Sequence, residues 1–90
     1  MTKQLIFIPL YNTSHLLDEL LLSIRKITKT DILIIDDGSK EFVSSMNFDT
    51  NNMFLERNSI NRGKGYSLKK AFKYALNNNY SHIISIDSDL

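Results

Sequence analysis

The residues best suited to chemistry are Asp87 and Asp89, two carboxylates separated by Ser88 and set directly behind the apolar run His82-Ile83-Ile84-Ser85-Ile86. Carboxylates at that spacing, leaving the end of a strand, can turn their oxygens toward one hard cation. Mg²⁺ or Mn²⁺ is typically held by one or two carboxylates while phosphate oxygens and waters complete the shell. Such an ion is a Lewis acid that neutralises charge on a departing diphosphate. The plainer reading of an Asp-x-Asp is a solvated turn or a helix cap. The strand ahead of it, and its place at the rim of the sheet expected below, favour the metal.

A second acidic pair, Asp36-Asp37-Gly38-Ser39, follows the run Ile32-Leu33-Ile34-Ile35. Adjacent carboxylates at a buried strand end repel each other unless a partner offsets them. One of them can accept hydrogen bonds from a ribose hydroxyl or a base N–H, and Gly38 permits a close backbone turn. An ordinary strand exit, with one aspartate capping a short helix, is compatible with that role for the other. Asn61-Arg62-Gly63-Lys64-Gly65 can bring backbone N–H groups and a cation near phosphates at a helix start. It is not a P-loop, because Asn58 stands where the first glycine of that spacing belongs. A flexible loop with solvated charge is the alternative for Arg62 and Lys64. Tyr11, beside Asn12, can pack near a nucleobase or serve the core.

These segments must be positioned by something, and the chain supplies it. Short apolar runs alternate with helical patterns, the signature of a parallel α/β sheet. Leu5-Ile6-Phe7-Ile8 reads as a strand buried on both faces and ended by Pro9. Asn12, Thr13 and Ser14 offer caps for a helix whose core face carries Leu16, Leu17, Leu20, Leu21, Ile24 and Ile27. Lys40–Met46 suits a short helical turn with Phe42, Val43 and Met46 inward, and Met53–Arg57 a third, short strand. A second helix places Leu68, Ala71, Phe72, Ala75 and Leu76 at core spacing, with Lys69, Lys70 and Lys73 on its wet face. The order β-α-β-α-β-α-β with right-handed crossovers predicts a three-layer, Rossmann-like α/β/α half with strand order 3-2-1-4. Ligands in such sheets bind beyond the carboxyl ends of the strands. The segments at Tyr11, Asp37 and Asp87 all follow strands, so they converge on one rim.

Composition narrows the classes. The chain has 90 residues, 42% hydrophobic and 23% charged, which fits one small globular domain. A net charge of +1 gives no reason to invoke nucleic acid. With no cysteine, disulfides and thiolate chemistry are excluded. His15 and His82 lack partners at metal-ligand spacing and read as structural. No apolar run approaches the roughly 20 residues that span a bilayer, and a cytoplasmic location is the default expectation.

In four ordered blocks the chain resembles the start of a family 2 glycosyltransferase with the GT-A fold. They are Ile8-Pro9-Leu10-Tyr11-Asn12, Ile34-Ile35-Asp36-Asp37-Gly38-Ser39, Asn61-Arg62-Gly63-Lys64-Gly65 and Asp87-Ser88-Asp89. The third block is similar to that of polyprenyl-phosphate sugar transferases. The resemblance implies that Pro9 and Tyr11 border the base, that Asp37 contacts base or ribose, and that Arg62 and Lys64 lie near the donor. It also implies that Asp87 and Asp89 hold ribose, diphosphate and metal. The nucleotide-sugar-binding set is thus Pro9, Tyr11, Asn12, Asp36, Asp37, Gly38, Arg62, Gly63, Lys64, Asp87 and Asp89. The donor would be a UDP- or GDP-sugar and the ion Mg²⁺ or Mn²⁺. The family often carries an acidic residue where Thr13 stands. It resembles two abutting halves, the second holding the acceptor site and base. Residues 1–90 would then be the donor-binding half, inactive alone and membrane-associated only through a further C-terminal part. A non-catalytic nucleotide-binding module, self-associating through the open edge of the sheet, is the first rival. A phosphoacceptor signalling domain is the second, but there the acid pair follows the first strand rather than the second.

Overall fold

The computed structural model describes residues 3–44, 46–48 and 51–88. Its elements are β1 (Gln4–Leu10), α1 (Ser14–Ile27), β2 (Asp31–Asp37), β3 (Met53–Asn58), α2 (Lys64–Asn77) and β4 (His82–Ser85). All pairs are parallel and the order is β3-β2-β1-β4, as expected.

The continuous apolar runs at β1 and β2 follow from burial on both faces. Ile6, Ile8, Leu10, Ile32 and Ile34 meet Leu17, Leu21 and Ile24 of α1 on one side. Leu5, Phe7, Leu33 and Ile35 meet Ala71 and Ala75 of α2 on the other. Burying one leucine-sized side chain contributes about 1.5–3 kcal/mol, so packing rather than capping holds α1. Thr13 occupies its N-cap position without a side-chain cap bond, against the expectation from Asn12, Thr13 and Ser14. Its hydroxyl is engaged elsewhere, with Ser88 Oγ at 2.8 Å. Ile27, expected in the core, is exposed at the last residue of the helix.

Three further expectations are corrected. First, β1 runs through Pro9 instead of stopping at it. Phe7 accepts from the Ile86 amide on the β4 side. Pro9 has the same strand parity, so its missing N–H faces the side where β4 has already ended, and no ladder bond is lost. Second, residues 40–44 and 46 form no helical turn. Phe42 and Met46 still pack on the core, whereas Val43 is exposed.

Third, α2 sits rotated from the expected face. Its buried stripe is Ser67, Ala71 and Ala75, small residues that let the helix axis approach the sheet. Leu68, Phe72 (49% exposed) and Leu76 (78% exposed) lie on a flank instead. The opposite flank faces β3, where Tyr74 meets Phe54 and Lys70 reaches Glu56 at 3.7 Å. Lys70 is therefore not on the wet face, while Lys69 and Lys73 are exposed as expected. The lower rim is closed by Tyr80, which donates to Asp31 at 2.6 Å and carries Lys3 Nζ over its ring.

Candidate functional site

The upper rim is organised by Asp37, the last residue of β2 and almost fully buried at 6% exposure. Its Oδ1 accepts from the Arg62 amide and from Asn58 Nδ2, and its Oδ2 from the Gly63 amide, each at 2.8 Å. Burial pushes the carboxyl's pKa up. The bonds from Arg62, Asn58 and Gly63, with the Arg62 charge, outweigh that push and hold it below the ordinary carboxylate value. Asn58 is fixed in turn by Lys70 Nζ at 2.8 Å, and its Nδ2 also reaches Ser67 Oγ at 3.3 Å. One carboxylate thereby joins β2, β3, α2 and the 61–63 loop.

Gly38 makes the close approach possible. Its φ is +74°, and a Cβ there would stand 2.5 Å from Asn61 N and from the Ile60 carbonyl carbon. Gly63, at φ +95°, has open space around it, so only its conformation calls for glycine. Helix α2 begins at Lys64, one residue beyond.

At the far side of the rim, Ser88 donates to the Pro9 carbonyl at 3.2 Å and bonds Thr13, fastening the segment after β4 to the end of β1. Asp87 stays accessible, its side chain 46% exposed, and its Oδ1 lies 3.3 Å from Lys64 Nζ. Between the two sides opens a cleft of about 260 Å³ lined by Pro9, Tyr11, Thr13, Asp37, Lys64 and Asp87, with Asn61, Gly63, Ser67 and Ser88 among the rest.

Of the residues expected at the site, Pro9, Tyr11, Asp37, Gly63, Lys64 and Asp87 line this cleft. Asn12, Asp36, Gly38 and Arg62 lie outside its lining. Asn12 and Asp36 belong to the hydrogen-bonded layer behind it, Gly38 forms the turn, and the Arg62 guanidinium lies over the Tyr66 ring. Asp89 is outside the described residues. Thr13, Asn61, Ser67 and Ser88 also line the cleft but lie outside the expected binding set. Ser and Thr at strand ends are common, and only the fold shows what they bridge. Asn58 had a readable signal, since it ends the strand beside Asp37.

Among the described residues no group of three or more His, Cys, Asp or Glu could hold a metal. Asp87 is the accessible carboxylate of the cleft, so a cation here would take much of its shell from a ligand. Mg²⁺ and Mn²⁺ accept that arrangement with phosphate oxygens.

Fold and rim together define a parallel α/β domain with its cleft beyond the carboxyl ends of the strands, beside the switch point between β1 and β4. The sequence model described as Glycosyl transferase family 2 matches residues 5–90, and the chain belongs to that family. No curated protein and no solved structure matches the chain. Among the described residues, no helix is long and apolar enough to cross a membrane.

Proposed function

We propose that the cleft is the donor site of a glycosyltransferase and takes the nucleotide-diphosphate part of a UDP- or GDP-sugar. The observation that carries this reading is the convergence of Tyr11, Asp37, Lys64 and Asp87, from four separate segments, on one cleft at the strand ends. Pro9 and Tyr11 border the base. Asp37 accepts one further hydrogen bond, from base or ribose, on the Oδ2 lone pair left beside the Gly63 bond. Lys64 offsets phosphate charge, Arg62 adds positive charge from outside the lining over the Tyr66 ring, and Asp87 with Asp89 holds the diphosphate and its Mg²⁺ or Mn²⁺.

In the transfer, an acceptor oxygen forms a bond to the anomeric carbon as the bond from that carbon to the diphosphate oxygen breaks. The diphosphate leaves with the electron pair. A bound divalent ion supplies neutralisation of that charge. A phosphate acceptor, already anionic, would need little help from a base, and the Asn61–Gly65 block makes a polyprenyl phosphate our preferred acceptor. Among the described residues, Asp37 and Asp87 are the carboxylates lining the cleft, and this reading gives both to the donor. In this reading the described residues are the donor-binding part of the enzyme, working in the cytoplasm.

Calorimetry of the folded chain with UDP- and GDP-sugars tests this reading. Binding that requires Mn²⁺ is expected; no binding of either donor by the folded chain overturns it.

A second reading, a self-associating nucleotide-binding module, is favoured by one observation. Among the described residues edge strand β4 pairs only with β1, and Leu68, Phe72 and Leu76 of α2, which packs against β4, are exposed together with Ile84 of β4. Light scattering decides: an oligomer at high concentration supports it and a monomer removes it.

A further inference from the structure

The conspicuous buried charge that the cleft does not use is Asp36, at 0% exposure. We infer that Asp36 is a positioning residue that, with Arg57, orients the Ser39 hydroxyl to hold the Tyr11–Asn12 turn in the shape that binds nucleotide.

The bonds run in one direction. Arg57 Nε donates to Asp36 Oδ2 at 2.8 Å, offsetting a charge that would be costly to bury alone. The Arg57 guanidinium is also steadied over the Phe42 ring, 5.6 Å from its centroid. Asp36 Oδ1 accepts from both the amide and the hydroxyl of Ser39. A hydroxyl has a single proton. Because Ser39 gives its proton to the carboxylate, its lone pairs must face outward. There they accept the Asn12 amide at 2.8 Å.

Asn12 returns a bond, its Oδ1 accepting from the Lys40 amide at 3.1 Å. That bond suits its φ of 57°, a left-handed conformation that asparagine adopts when its short polar side chain is bonded locally. Tyr11, the residue immediately before it, is a wall of the cleft. The Asp36 carboxylate thus acts on the cleft through Ser39 and without touching a ligand.

The functional half of this inference rests on the donor-site reading; its structural half does not. The test compares the full chain with Ser39→Ala and Ser39→Thr by amide hydrogen exchange and by UDP titration with Mn²⁺. In Ser39→Ala the Asn12 amide is expected to exchange at least about 10-fold faster. The Arg62 and Gly63 amides, held by Asp37, keep their protection. UDP affinity drops about 10-fold, and Ser39→Thr, which retains the hydroxyl, restores both. An unchanged Asn12 exchange rate overturns the inference, as does a freed Asn12 amide with unaltered UDP affinity. If the wild type binds neither UDP nor GDP, the donor-site reading fails and with it the functional half, while Asn12 exchange still decides the relay. Should Ser39→Ala not fold, Arg57→Gln leaves Asp36 and Ser39 in place. It must still speed Asn12 exchange, or the relay is refuted.

Discussion

Two strand-end aspartates stand on opposite walls of the same cleft and differ in almost everything but type. Asp37 is buried and accepts three hydrogen bonds, two from backbone amides of a loop over 20 residues away in sequence. Asp87 is half-exposed and has one 3.3 Å contact with a largely solvated lysine. A carboxylate committed to the protein's own amides builds the site. One left to solvent keeps its oxygens for a ligand. The wall at β2 is therefore a framework and the wall after β4 a contact surface, although from sequence both are acidic pairs behind an apolar run and both are expected to bind ligand.

The sharpest way to break this contrast is at the framework's turn. Gly38→Ala combines left-handed strain with a clash against rigid backbone at 2.5 Å. It should destabilise by about 2–4 kcal/mol, measured by urea denaturation. A loss under about 1 kcal/mol would mean that the β2 wall yields easily. Asp37→Asn comes next. It keeps the shape but turns a donor toward N–H groups, at a cost of about 1.5–3 kcal/mol and with loss of donor binding.

Acid should erase that second difference. Asp37's carboxyl is held below its ordinary value in the folded chain. The stability it contributes is complete above the unfolded pKa of about 4 and is lost as pH falls through the lower folded value. The melting-temperature gap between wild type and Asp37→Asn should accordingly narrow on acidification below about pH 4. A gap independent of pH would show that the charge is not what holds the loop.

The smallest effect on stability is expected at Asp87. Asp87→Asn should leave it within about 0.5 kcal/mol of wild type, as for exposed ion pairs generally. The same variant should lose the Mn²⁺ dependence of donor binding in calorimetry. Marked destabilisation would make Asp87 a second framework residue and dissolve the contrast.

Much of the fold was legible because it depends on local pattern. The short apolar runs of β1 and β2, bounded by polar breaks, suit strands buried on both faces. Alternation with helices under right-handed crossovers led to the order 3-2-1-4. The convergence of Tyr11, Asp37 and Asp87 on one cleft followed from the same topology. The orientation of α2 was not legible. Its apolar arc from Leu68 to Leu76 is broad enough to present several faces, and periodicity does not say which. Contact with the sheet selected Ser67, Ala71 and Ala75, because small side chains allow the closest approach.

The order of the strands, and the placement of acidic tips at strand ends, thus belong to the sequence by itself, through side-chain period and backbone handedness. Which tip is spent on structure and which is left open was decided only in three dimensions. The amides of Arg62 and Gly63, the side chain of Asn58 and the hydroxyl of Ser39 acquire their partners from distant segments. A hydrogen bond's worth depends on burial and aim, and neither exists until the chain has packed.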